Sequence, residues 1–248
     1  MRRDETDRIA ARASYEQLSR REKARHIWLY YKWYILLGIT ALLILGSVVN
    51  RILHKKEAAL CLAMTNVTLN DTLMEQVTTD WLTDCGLDPD KSEVVLYSNL
   101  YLANDAVGEA HKAAYATQIK LMAAVEEKKL DAVLMSRQAL DILSGRGYLL
   151  ELSELLAGEP ELLQEVEPLL TENVVVLDDN AIEYQLGEAE AYEEVTVTAV
   201  NAVRLDELPL FADSGFQEPL YLGFVANTPR QDACVAYLRY LTGAAGEN

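Results

Sequence analysis

The spacing of apolar residues divides the chain near residue 56. Before that point, KWYILLGITALLILGSVVNR (32–51) runs without a charge between Lys32 and Arg51. Trp33 to Val49 makes about 25 Å of helix at 1.5 Å per residue, and Ile52 and Leu53 extend its apolar surface. A helix packed on a soluble core turns a polar face outward every third or fourth residue. Here only Thr40 and Ser47 are polar, and both can bond back to their own helix. Residues 33–53 are therefore predicted to be a transmembrane helix, because an apolar bilayer core about 30 Å thick takes roughly 20 residues. Trp28, Tyr30, Tyr31, Trp33 and Tyr34 before the span, and Lys55 and Lys56 after it, suit the two interfaces.

After residue 56 the pattern alternates between short apolar runs and helical spacing. ALCLAMTNV (59–67) reads as a buried strand. TLMEQVTTDWLTDCG then places Leu73, Val77, Trp81 and Cys85 on one helix face, with Gly86 as the stop. SEVVLYSNLYL (92–102) is a second strand, EAHKAAYATQIKLMAAVEEKKL (109–130) a long helix, DAVLMS (131–136) a third strand and RQALDILSGRG a short helix. This βαβαβα order predicts an α/β domain with a parallel sheet. Beyond it, ELLQEVEPLL is a helix interrupted by Pro168, VVVLDD (174–179) is a strand, and IEYQLGEAEAYEEVTVTAVNAV reads as a hairpin. PLYLGFVAN (219–227) returns to a buried strand. TPRQDACVAYLRYLTG forms a last helix, with Thr228 as N-cap, Pro229 at N1, Gln231 at N3 and Gly243 as stop.

Charge sharpens the division. Residues 1–56 hold 12 lysines and arginines against 5 acids, whereas residues 57–248 hold 10 against 34. The first 32 residues read as a basic helical segment, with a capping box at Ser14 and Gln17. Five basic residues lie in 13–32 against three in 50–69, which puts the amino terminus in the cytoplasm and residues 57–248 outside. No small-x-small cleavage pattern follows the apolar run, so a signal peptide is not expected. The acidic body repels phosphate backbones and excludes nucleic acid as a partner.

Catalytic chemistry has little to work with. His26 and His54 flank the span, leaving His111 as the one histidine of the main domain, near the start of a helix. No nucleophile elbow, zinc-protease helix or phosphate loop occurs, and no cofactor or metal is expected. GRG (145–147) reads as a helix stop and LDPDKSE (87–93) as a turn. Asp178 and Asp179 are strand neighbours that point to opposite faces. Cys61, Cys85 and Cys234 leave two readings: a Cys85–Cys234 disulfide outside the cell, or three small buried apolar side chains. A ligand on such a sheet sits beyond the carboxyl ends of its parallel strands. That rule selects Asn66, Asn99, Tyr101 and Ser136, with Asn227 as a further candidate.

QIKLMAAVEEKKLDAVLMS, followed by ALDILSGRGYLLELSELL, resembles the first lobe of bacterial extracellular solute-binding proteins, and PLYLGFVANTPRQDACVAYLRYLTG resembles a later segment of the same family. The resemblance implies a reduced type-II periplasmic-binding fold. Its first lobe would span about 57–157, a reduced second lobe about 158–218, and a return strand and helix 219–243. It also implies a non-enzymatic role, either binding a small solute or serving as accessory subunit of a transporter. Family members are longer and carry a lipid-modified cysteine where this chain has an apolar span. The alternative is an interaction protein with a degenerate cleft that docks another membrane protein.

Overall fold

The computed structural model describes residues 28, 32–34, 36–47, 56–104, 107–212, 214–216 and 218–243. Two compact units divide at Lys55 and Lys56. In the first, residues 36–47 are helical, and Leu36, Leu37, Leu42 and Leu43 are exposed along them. Among the described residues no helix is long and apolar enough to cross a membrane. Residues 48–53 of the expected span and the Ser14–Gln17 capping box lie outside the described residues.

The second unit is an α/β domain on one six-stranded sheet, ordered β2-β1-β3-β6-β5-β4. β1 (Glu57–Thr65) pairs in parallel with β2 (Ser92–Leu100) and β3 (Ala132–Met135). The expected βαβαβ order therefore holds for these three strands. β4 (Leu170–Asp179), β5 (Glu194–Arg204) and β6 (Tyr221–Phe224) join antiparallel, so the sheet is mixed rather than parallel. The cause is the chain's return path. Residues 180–193, which include a five-residue helix (Ala181–Gln185), turn back at the tip so that Asp179 and Glu194 face each other, and β5 returns antiparallel beside β4 instead of crossing over the sheet. Residues 158–218 accordingly extend the same sheet through β4 and β5.

Two layers of helix cover the sheet. Leu60, Leu62 and Met64 of β1 and Leu134 of β3 face one layer, while Ala63, Val133 and Met135 face the other. The first layer holds α1 (Asp71–Glu75), a π-turn (Gln76–Asp80) and α2 (Trp81–Asp84). Asn70 caps α1 by accepting from the Leu73 N–H at 2.8 Å. The π-turn displaces carbonyls from the usual ladder. Two tyrosines of α9 (Gln231–Thr242) satisfy them: the Tyr237 hydroxyl donates to Val77 O at 3.1 Å and the Tyr240 hydroxyl to Gln76 O at 2.9 Å. Full burial pushes the Tyr237 phenol above its usual range, so it remains a donor. Trp81 meets the Tyr237 ring edge-on at 5.2 Å. The opposite layer holds α3 (Gly108–Glu126) and α4 (Arg137–Gly145), which contribute Leu121, Val125, Leu140 and Leu143. Short helices α5 (Leu152–Leu155), α6 (Pro160–Val166), α7 (Ala181–Gln185) and α8 (Pro209–Ala212) complete the chain.

Asp131, just before β3, is fully buried. Its Oδ2 accepts from the Cys61 N–H at 2.7 Å and its Oδ1 from the Thr228 hydroxyl at 2.6 Å. Arg230 Nη1 reaches both oxygens at 3.1 and 3.0 Å. The backbone closes the same joint, with Asp131 N–H donating to Cys61 O at 2.9 Å and Val225 N–H to Asp131 O at 2.8 Å. A buried charge is tolerated when every lone pair is used, and here one carboxylate ties β1, β3, the end of β6 and the start of α9. It also moves a helix boundary. α9 starts at Gln231 with Arg230 as N-cap, not after Thr228, because Thr228 faces Asp131 and accepts from the Arg230 N–H at 3.1 Å. Gly243 ends α9 at φ 82°, as its position predicts.

Candidate functional site

The carboxyl ends of β1, β2 and β3 bring together four of the five candidate residues, and the side chains of Asn66 and Ser136 are taken up by local structure. Asn66 follows β1 with φ 60°. Its Nδ2 donates to Leu102 O at 2.6 Å and its Oδ1 accepts from the Leu102 N–H at 2.8 Å. The side-chain amide thus acts as one more backbone unit in the β1–β2 ladder. Its second Nδ2 contact, to Gln138 Oε1 at 3.5 Å, is at the limit of a hydrogen bond. Ser136 caps α4, its Oγ accepting from the Ala139 N–H at 3.4 Å, and is only 7% exposed. Asn99, at φ 57°, is the extra residue of a bulge where the β1–β2 register slips between Ala63 and Thr65. Tyr101 donates its N–H to the Thr117 hydroxyl at 3.1 Å and leaves its ring partly exposed.

Asn227 is at the other end of the sheet. β6 runs antiparallel to β3, so the residues after Phe224 lie beside the start of β3 rather than its end. There Asn227 Nδ2 donates to Val125 O at 2.8 Å and fastens the β6–α9 turn to the end of α3.

Open concavities mark the surface of the described residues. One of about 210 Å³, beside the starts of α3 and the end of α4, is lined by Leu102, His111, Tyr115, Gln118, Ile142 and Arg146. One of about 430 Å³ lies between α4 and β4, lined by Arg137, Asp141, Glu172, Asn173, Val174 and Thr198. An apolar groove of about 340 Å³ is lined by Ala59, Trp81, Cys85, Leu87 and Ala233. The last, about 410 Å³, is ringed by Asp178, Asp179, Glu183, Glu193 and Glu194. No group of three or more histidine, cysteine or acidic residues among those described is placed to hold a metal ion. No hydroxyl or carboxylate is hydrogen-bonded to His111 among the described residues, so a catalytic pair is not assembled there.

The cysteines are free, with Cys61 and Cys234 buried and Cys85 exposed. Burial pushes the Cys234 thiol up to about 12, and the neighbouring Asp131 adds to the shift. It is a packing residue rather than a nucleophile.

The feature that composition and period did not reveal is an arm. β4 and β5 pair from Leu170↔Val203 out to Asp179↔Glu194, whereas β5 touches β6 only at Val203↔Leu222 and Arg204↔Tyr221. The outer part of this ribbon therefore has no third strand. A chain of buried polar groups pins its base to α4. Asn173 Nδ2 donates to Asn201 Oδ1 at 2.6 Å, Asn201 Nδ2 to Ser144 Oγ at 2.8 Å, and Ser144 Oγ to Val174 O at 3.0 Å. Two signals for it stood in the sequence: an unbroken VVVL run bounded by acids, and no basic residue from 170 to 203.

No family profile matches the chain, and no curated protein and no solved structure was found to be similar to it.

Asn66 supplies a direct test of structural against ligand-binding duty. Asn66→Ala removes two hydrogen bonds and puts alanine in the left-handed region, which should cost about 1–3 kcal/mol in denaturant unfolding. Asn66→Gly should recover the backbone part of that loss. An Asn66→Ala protein of unchanged stability would contradict the structural duty assigned to the amide.

Proposed function

We propose that this chain is a membrane-tethered extracytoplasmic domain that docks another membrane protein and carries out no chemistry. The observation that carries the reading is the spent amide of Asn66. At the strand ends where a solute would sit, Asn66 uses its amide on Leu102, and Ser136 beside it is buried as a helix cap. Inclusion of β4 and β5 in the same sheet supports it as well, since closing over a solute needs a second body. The tether is supported by the uncharged helical residues 36–47, whose leucines are exposed. An exposed apolar helix of that composition is at home in lipid. A place beside a transporter, as accessory subunit, fits the same description.

A second reading, a small-solute binder, rests on the 210 Å³ concavity near His111 and Arg146. That volume is below the roughly 300–1,000 Å³ of ordinary ligand pockets, whereas the concavities of about 340–430 Å³ reach it, so the preference for docking rests on the spent Asn66 amide and not on volume.

Two experiments test these statements. Protease added to intact cells or protoplasts should remove the acidic domain and spare the basic amino terminus; a protected domain would reverse the topology. A thermal-shift screen of sugars and amino acids on the purified chain should leave the midpoint unmoved. A ligand present at 100 times its Kd contributes about 2.7 kcal/mol, or roughly 5–10 °C for a domain of this size. A shift of that size with any compound would overturn the docking reading in favour of solute binding.

A further inference from the structure

The geometry points to the β4–β5 arm as the docking element, and to an extended basic segment of a partner protein as its occupant, added as a strand along β4. This deepens the docking reading and rests on it. β4 is the outermost strand on its side of the sheet, ten residues long, so the backbone groups on its outer side face no neighbouring strand. Edge strands ordinarily protect themselves with lysine, proline or a covering element. β4 has neither residue, its NVVVL core carries no charge, and α4 meets it at the base, where Ser144 Oγ donates to Val174 O, so the open edge is the outer part of the strand beyond Val175. Its pairing with β5 slips twice, once at the base between Thr171 and Glu172, opposite Asn201, and once at Leu177, where Val176 pairs with Thr196 and Asp178 with Val195.

The apolar surface continues around the tip. Leu177 is 62% exposed, Ile182 70%, Leu186 67% and Val195 58%. Single exposed apolar residues are ordinary, but two on the ribbon (Leu177 and Val195) and two in the helical turn at its tip (Ile182 and Leu186) concentrate apolar surface at one end of the arm, and patches of this kind mark interaction sites. A ribbon of two strands is also marginal on its own. Here the buried Asn173–Asn201–Ser144 chain holds the base in place, so the arm is presented to a partner in a fixed position.

Charge selects the occupant. Residues 170–203 carry eight carboxylates and no lysine or arginine. Glu172 and Asp178–Asp179 bracket the apolar core of the strand, and Glu183, Glu193 and Glu194 stand at the tip. A second copy of this chain would set these acids against themselves. An anionic lipid surface would be repelled in the same way. A partner strand with an apolar residue opposite Val176, and lysine or arginine opposite Asp178 and Asp179, satisfies the outer edge, the patch and the charge together.

The test uses the full chain in its own membranes, with a photo-reactive benzoylphenylalanine replacing Leu177 in one protein and Tyr115 of α3 in another. Irradiation of the first should give an adduct with a different protein, through a peptide in which basic and apolar residues alternate. Asp178→Lys combined with Asp179→Lys should cut that adduct roughly tenfold, as reversal of a complementary charge pair does. Unchanged thermal midpoints would show that these surface variants still fold. Adducts at position 177 with lipid, or with a second copy of this chain, overturn the proposal, as does a yield indifferent to the charge reversal. An adduct from position 115 alone would place docking on another face and leave the docking reading standing. Silence at both positions would sink the two together.

Discussion

A carboxylate sealed from solvent at the start of the central strand holds the domain together. Asp131 accepts from the Cys61 backbone, the Thr228 hydroxyl and the Arg230 guanidinium, so one side chain joins elements about 70 and about 100 residues away in sequence. Removing one partner of such a buried pair typically costs about 3–5 kcal/mol, a large part of the 5–15 kcal/mol by which domains are stable. Its neighbours depend on the same joint. Cys234 on α9 lies with its thiol 3.9 Å from Asp131 O, and Tyr237, one turn further along, reaches across to the π-turn carbonyl of Val77. The β1–β3 block and the returning β6–α9 segment are therefore one body.

That rigidity bears on function. A protein that encloses a solute needs two bodies and a hinge between them. Here the carboxyl ends of the parallel strands are closed by the Asn66–Leu102 pairing, and the opposite ends by Asp131 and by Asn227 on Val125 O. Free surface is found instead on the arm, whose base is pinned and whose tip is open. Among the described residues the β4–β5 arm presents an exposed acidic and apolar edge, and the proposed docking function is built on it.

Much of this fold could be read from the residues. Leu73, Val77 and Trp81 at spacing four line the buried side of α1, the π-turn and α2, and the fully apolar AVLM stretch is the central strand β3, covered on both faces. The antiparallel half was harder to foresee. A VVVL run reads alike in a parallel or an antiparallel setting, and pairing depends on a connection whose length alone does not give direction. Candidate site residues were located correctly at strand ends in four cases, yet their duty was invisible. Nothing near Asn66 signals that its amide will pair with Leu102, 36 residues on. Thr228 has the sequence of an N-cap, but a buried acid elsewhere in the chain takes its hydroxyl. Tertiary partners decided these details, and local pattern cannot carry them.

The claim of a single locked body is tested most directly by hydrogen exchange on the full chain and its Asp131→Ala variant. If Asp131 is the joint, exchange should rise together in β1, β3, β6 and α9 of the variant, with the Cys61 and Val225 amides among the slowest of the unaltered protein. A rise confined to β6 and α9, with β1 and β3 as protected as before, would mean two independent bodies. It would restore the hinge that solute binding requires.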